Sequence, residues 1–456
     1  MATALSVALT LIYIAFVVYL VLKRCNSVFV FLVSGIAVFL VAALVTGTSV
    51  MGDKTSGSLV IDAFLYAKTQ FSSNMSGVGL TLMMVTGYAM YMSHIGASTK
   101  LAFLATKPLS KIGSPYVVLG FLLIIGAMLK LVITSASGLG MLLMSVAFPI
   151  LISLGVSPMS AATVVVMSSF IDWGPNDSSA IFAAEEVVGV PMIDYFLTWQ
   201  LKSGAILTIL LAIFLSVWLR HADKKRASAE GSTELKGEVL EDSDCPLVYA
   251  IFPVAPLAMI VIFSFIPTIS LDVVTANLLC LVVVMLIELA RKRTMEVPAD
   301  ISFVMKSMGT CFANVVSILV GAAVFAKAIE LIGGMTIISG ALASIQGAPI
   351  IVIIAMSLVT FFGAFILGSG NASWYAFGPL VPNMTAQMGV AAETVALPMQ
   401  LATGMGRSMS PVSGVIIAIS GMAGIDLQDL VRSCMVPSVA MFVANIVVSY
   451  AVALIF

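Results

Sequence analysis

FIDWGPNDSSA, residues 170–180, decides how this chain is read. It lies between hydrophobic segments and packs Asp172, Gly174, Pro175, Asn176, Asp177, Ser178 and Ser179 into a few positions. No regular helix survives that composition in lipid. Pro175 removes a donor and clashes with the preceding turn, and Gly174 weakens the helix further. Non-helical backbone at membrane depth needs protein or a water-filled cavity around it. Freed amides and short polar side chains there can grip a polar solute. A second such stretch, TGMGRSMSPVSG, spans residues 403–414. Two interrupted segments in corresponding places point to the substrate site of a transporter.

The surrounding composition sets the class. The chain has 456 residues, of which 61% are hydrophobic and only 9% charged. Soluble domains carry about 25% charge, so the expected fold is an all-α polytopic membrane protein. A net charge of −1 argues for no nucleic-acid partner. Cys25, Cys245, Cys280, Cys311 and Cys434 lack metal-ligand spacing and read as apolar filler. The start, residues 1–22, has no basic region or cleavage site and reads as a first spanning helix. There is no Walker loop of the form GxxxxGK followed by Ser or Thr, no HExxH and no GxSxG elbow. The chain is therefore expected to be no enzyme and to need no cofactor. Transport would draw on ion or solute gradients.

Hydrophobic runs occupy residues 4–22, 28–46, 77–95, 115–133, 138–154, 160–170 and 196–219 of the first half. The second half has runs at 247–266, 273–289, 311–329, 349–367, 375–388, 394–403, 412–422 and 434–456. The short ones suit half-helices or re-entrant hairpins. Basic residues follow several runs: Lys23 and Arg24; Lys100, Lys107 and Lys111; Arg220, Lys224, Lys225 and Arg226; Arg291, Lys292 and Arg293. One threading puts all of them on one side, which is then cytoplasmic, with both termini periplasmic. The domains are a first repeat, 1–219, a cytoplasmic linker, 220–246, and a second repeat, 247–456. HIGASTKL near His94 echoes ELIGGMTI near Glu330, and LGVSP near Gly155 echoes MGVAA near Gly389. TSASG at 134–138 echoes GSGNAS at 368–373. Matched runs cross in opposite directions under the charge rule, the plan of an inverted-topology repeat.

Each half supplies two polar breaks. Residues 134–140 and 172–179 stand against 368–373 and 406–411. Serine, asparagine and glycine at broken helix ends suit an anion, because N–H groups and a partial positive charge meet there. The candidate substrate-binding residues are Ser135, Ser137, Gly138, Asn176, Ser369, Asn371, Ser373, Arg407, Ser408 and Ser410. Hydroxyls and glycines that merely pack helices closely are the alternative. Arg407 falls inside the second break. An intramembrane arginine is normally functional or paired, so it either forks onto a carboxylate of the solute or locks to Asp172 or Asp177. Those two aspartates are the candidates for ion coupling, to sodium or to protons. Lys130 adds positive potential or snorkels. His94 is an interfacial histidine or a proton-relay member.

At these residues the chain resembles the anaerobic four-carbon-dicarboxylate carrier family, Dcu type C. The similarity runs through YMSHIGAS (91–98), KPL (107–109), SPY (114–116), SASGLGMLLM (135–144) and GRSMSPVSGV (406–415). It implies a bacterial inner-membrane carrier of succinate, fumarate, malate or aspartate. The wider group, the ion-transporter superfamily, implies an elevator-like fold with a scaffold part and a mobile part, often in a homodimer. Relatives there carry Ser-Asn-Thr motifs in their hairpins; here only Asn371 keeps the asparagine. The acidic FIDWGPND also differs from the less charged break expected of dicarboxylate members. A carrier of basic amino acids such as arginine or ornithine is the nearer alternative, and an anion channel the more distant one.

Overall fold

The computed structural model describes residues 2–23, 25–111, 114–227, 245–264, 266, 271–294, 296–333 and 348–456. Most of the acidic linker, 228–244, and the end of the ELIGGMTI echo, 334–337, lie outside the described residues. Among the described residues every regular element is helical and there is no strand. Six stretches are long and apolar enough to cross a membrane: Val28–Thr46, Met192–Lys224, Val273–Lys292, Glu296–Ile332, Pro349–Leu367 and Leu427–Ile455. The chain is an all-α multi-pass membrane protein.

Other elements are half as long. Pro158–Met167 and Gly414–Ala423 have 10 residues each. At 1.5 Å per residue such a helix rises about 15 Å, half of a hydrocarbon core about 30 Å thick. The run expected at 138–154 is two short helices, Ala136–Val146 and Phe148–Ser153. The run at 375–388 likewise divides into Gly370–Phe377 and Val381–Met388, with a tight turn between them. Both bend without reversing direction, because the joining residues Ala147, Gly378 and Leu380 keep right-handed helical dihedrals. The connector at 47–74 contains a helix, Leu59–Ser76, whose buried Asp62 accepts hydrogen bonds from Ser49 and Thr55 hydroxyls and from the Ser56 N–H.

Packing sorts the helices into two groups. Ser27–Thr46 lies along Ser317–Ile332, and Val78–His94 lies against Val273–Lys292 and Ile301–Cys311. In the other group Pro115–Lys130 packs on Leu201–Ala227, and Ala348–Leu367 packs on Glu393–Arg407. Leu201–Ala227 also meets Leu427–Ile455. Apolar side chains from both groups, such as Leu82, Leu122, Val164, Phe325 and Leu401, form one large buried cluster. Asp223 ties three elements at one end: it accepts from Ser157 at 2.7 Å, Ser160 at 2.8 Å and Tyr116 at 3.3 Å.

The second break begins later than its sequence suggests. Helix Glu393–Arg407 stays regular through Thr403–Gly406, so Arg407 is its last residue rather than part of the break. Gly404 lies against the Phe170 backbone and Gly406 against the Phe361 carbonyl, where any side chain would collide. The glycines that read as helix breakers instead allow close helix approach.

Candidate functional site: a hydroxyl-lined cavity between broken helices

Four helix N-termini are built from the four polar breaks. Ser135 caps Ala136–Val146 by accepting from the Gly138 N–H. Ser369 caps Gly370–Phe377 by accepting from the Ala372 N–H. Asp177 caps Ser178–Phe182 by accepting from the Ser179 N–H, and Gly414–Ala423 starts after Ser413. The elements cross over between halves. Ala136–Val146 packs on Gly414–Ala423, and Gly370–Phe377 packs on Ser178–Phe182. The second crossing is joined by a hydrogen bond of 3.0 Å from Asn371 Nδ2 to Ser178 Oγ.

A cavity of about 640 Å³ opens beside these ends. One wall is Val78–His94 and the start of Ala97–Thr106, with Thr86, Ser93, Ser98 and Thr99. The other wall carries Ser135, Ser137, Gly138, Asn176, Ser178 and Asn371. Candidates from both halves therefore meet in one space. Among the described residues no acidic side chain lines it. Ser178, which no spacing argument singled out, is the addition; its place after Asp177 in the first break was the available signal.

The remaining candidates sit behind that surface. Ser373 is buried and donates to the Thr360 carbonyl at 2.8 Å. Ser408 donates to the Gly404 carbonyl at 2.8 Å, and Ser410 Oγ accepts from the Val412 N–H at 3.3 Å. Both serines are fully buried. Ser369 is the cap already described.

The charged candidates form a buried quartet. Arg407 donates to Asp172 Oδ2 at 2.7 Å and to the Ser169 carbonyl at 2.6 Å. Lys130 lies 3.1 Å from Asp172 Oδ1 and 2.8 Å from Asp177 Oδ2, and donates to the Thr134 carbonyl at 2.7 Å. Lys130 is completely buried, so it does not snorkel. Asp177 Oδ1 accepts from the Ser179 hydroxyl at 2.7 Å. Each aspartate thus faces a cation, and two positive charges balance two negative ones. Arg407 and Ser169 O also stand at the C-terminal ends of two helices, where a positive charge is favoured. His94 lies away from this centre, 3.4 Å from Asp300 and stacked on Phe303.

Irregular backbone enclosed by packed helices, with a cavity beside it whose largely apolar wall carries hydroxyls and amides, is the construction of a membrane solute carrier. Two solved transporters share the fold. MtrF of Neisseria gonorrhoeae, of a class of antimetabolite efflux pumps, aligns with a TM-score of 0.61 at 14% identity, over 93% of this chain and 94% of that one. The YdaH transporter of Alcanivorax borkumensis aligns with a TM-score of 0.58 at 14% identity, over 93% and 97%. Residues 5–453 match the C4-dicarboxylate anaerobic carrier family DcuC, and the chain belongs to that family. The anaerobic C4-dicarboxylate transporter DcuC of Escherichia coli strain K12 is 30% identical over 444 residues, 96% of this chain and 94% of that protein. A probable anaerobic C4-dicarboxylate transporter DcuC of Vibrio cholerae is 30% identical over 428 residues, 92% of each. The family is one of transporters, not enzymes.

Proposed function

We propose that this chain is a secondary carrier of four-carbon dicarboxylates such as succinate, fumarate, malate or aspartate in a bacterial inner membrane. It works by exchange or by coupling to sodium or protons. The observation that carries this reading is the cavity wall. Ser135, Ser137 and Gly138 at one helix N-terminus face the same space as Asn176, Ser178 and Asn371, with no carboxylate among them. Hydroxyls, amides and the N-terminal dipole suit a carboxylate. Both aspartates that a cationic solute would need are already engaged by Lys130 and Arg407, which disfavours a basic amino acid. Proteoliposomes loaded with unlabelled succinate should take up labelled fumarate faster than empty ones. Aspartate should compete in that assay, and arginine and ornithine should not. Uptake that ignores internal succinate, or that arginine blocks best, would overturn the assignment.

The architecture we propose is a pair of inverted repeats, 1–219 and 247–456, joined by the linker 220–246. In its support, the glycines of the sequence echoes adopt matching left-handed turns: Gly96 with Gly333, and Gly155 with Gly389. The crossed packing of Ala136–Val146 and of Gly370–Phe377 on the other half's broken-helix segments also agrees with a two-fold relation. In this reading these segments move against the group containing Ser27–Thr46 and Val273–Lys292. The working unit is a homodimer. Its protein mass in lipid discs should be twice 47.8 kDa, and a single-copy mass would exclude it.

A further inference from the structure

Two buried glutamines hold the first break, and neither lines the cavity. From 170 to 177 the chain leaves the helical hydrogen-bond ladder, so its polar backbone groups need other partners. Gln200 Oε1 accepts from the Gly174 N–H at 2.9 Å. Gln400 Nε2 donates to the Asp172 carbonyl at 2.5 Å and to Ser179 Oγ at 2.7 Å. The two amides join each other, Gln200 Nε2 to Gln400 Oε1, at 3.1 Å. Ser179 Oγ passes the chain on to the Asp177 carboxylate at 2.7 Å. Both glutamines are fully buried.

The sequence places these side chains in apolar helices, where an amide is costly unless bonded. Gln200 ends a widened π turn, Phe196–Gln200, that opens the long helix Leu201–Ala227. Such turns re-aim side chains and cluster at functional sites. Gln400 comes from the other half, on Glu393–Arg407. Their contacts fall on residues 172, 174 and 179, on both sides of Asn176. Among the described residues the second break has no comparable arrangement. It closes on itself through turns, Ser410 N–H to Arg407 O and Ser413 N–H to Ser410 O, both at 3.1 Å.

We propose that Gln200 and Gln400 are positioning residues: an amide ladder that fixes the 172–179 loop and thereby sets Asn176 in place for solute binding. The proposal rests on the cavity being the solute site.

The test uses the full chain in proteoliposomes, with Gln200→Met, Gln400→Met, the double variant and the milder Ser179→Ala. KM and maximal rate for succinate are measured beside the melting temperature. Each single glutamine variant should raise KM about tenfold, the scale of one lost buried hydrogen bond, with the maximal rate within about twofold. The double variant should be no worse than the worse single, because the bonds act in series. Ser179→Ala should raise KM with a smaller fall in melting temperature than either methionine variant, and it decides the matter if the methionine variants do not fold. An unchanged KM alongside lower melting temperatures would reduce the ladder to a structural role and overturn the proposal. So would effects that multiply in the double variant.

A second readout does not depend on the solute. With Cys25→Ser and Asn176→Cys, maleimide labelling at 176 should speed up about tenfold or more when Gln400→Met frees the loop. An unchanged labelling rate counts against the ladder. If the wild-type chain carries no succinate, the functional reading fails while the labelling result still judges the ladder.

Discussion

Arg407 and Asp172 lie 235 residues apart and share a buried hydrogen bond of 2.7 Å. Removing one partner of a buried pair leaves an uncompensated charge, at a cost of about 3–5 kcal/mol. Arg407→Ala and Asp172→Ala should each lower the melting temperature sharply. Arg407→Met combined with Asp172→Leu should recover much of it. Stable single variants that lose only succinate affinity would instead put the guanidinium on the solute. Asn371 provides the contrast, because its Nδ2 bonds Ser178 at the cavity wall. Asn371→Ala should weaken succinate binding about tenfold, roughly one hydrogen bond, with little thermal effect. Ser135, Ser137, Gly138, Asn176 and Asn371 were legible because short polar residues at helix breaks have few other uses in lipid. The depth of Ser373, Ser408 and Ser410 was not legible. Which face a hydroxyl takes depends on helix rotation, and periodicity leaves that open when every neighbour is small or apolar. The partners of Lys130 and the pairing of Gln200 with Gln400 depend on contacts between distant segments. The available signal was a lone charge and two lone amides inside apolar runs.

The breaks themselves follow from backbone chemistry. Pro175 and Gly174 stop a helix wherever they stand, so the first break was readable. The second was misplaced by a few residues because tight packing at Gly404 and Gly406 overrides weak helix propensity. Gly368 and Gly155 allow the backbone term to be measured apart from crowding. Both adopt positive φ, +69° and +82°. A Cβ on Gly368 would lie 2.6 Å from the Val412 carbonyl oxygen, whereas one on Gly155 would meet nothing within 4 Å. Gly155→Ala should therefore cost only the conformational strain, about 1–2 kcal/mol. Gly368→Ala should cost clearly more and should disturb the turn into Gly370–Phe377. Equal melting temperatures for the two variants would show that this turn yields without resistance.

For the whole molecule, side and charge are the testable properties. Cys25 is exposed and the other four cysteines are buried, so the native chain carries its own topological reporter. An impermeant maleimide should label it in inside-out vesicles and not in right-side-out ones, since Cys25 follows the basic pair Lys23 and Arg24. The opposite pattern would reverse the threading. The sidedness of short basic loops is an expectation from local charge, and the labelling decides it. How two halves enclose one cavity was only partly readable, because crossed packing is set by distant contacts. The quartet of Lys130, Arg407, Asp172 and Asp177 has an electrical consequence. Moving one elementary charge through the membrane potential involves about 2.3 kcal/mol per 100 mV. With all four groups ionised they sum to zero, so carrying them through the field adds no voltage dependence. The current of a transport cycle should then report only the solute and its co-ions. In a folded Lys130→Met variant the quartet becomes negative, and solute-free charge movements should appear on voltage steps that are absent from the wild type. Voltage, silent for the resting carrier, would become a brake on its motion.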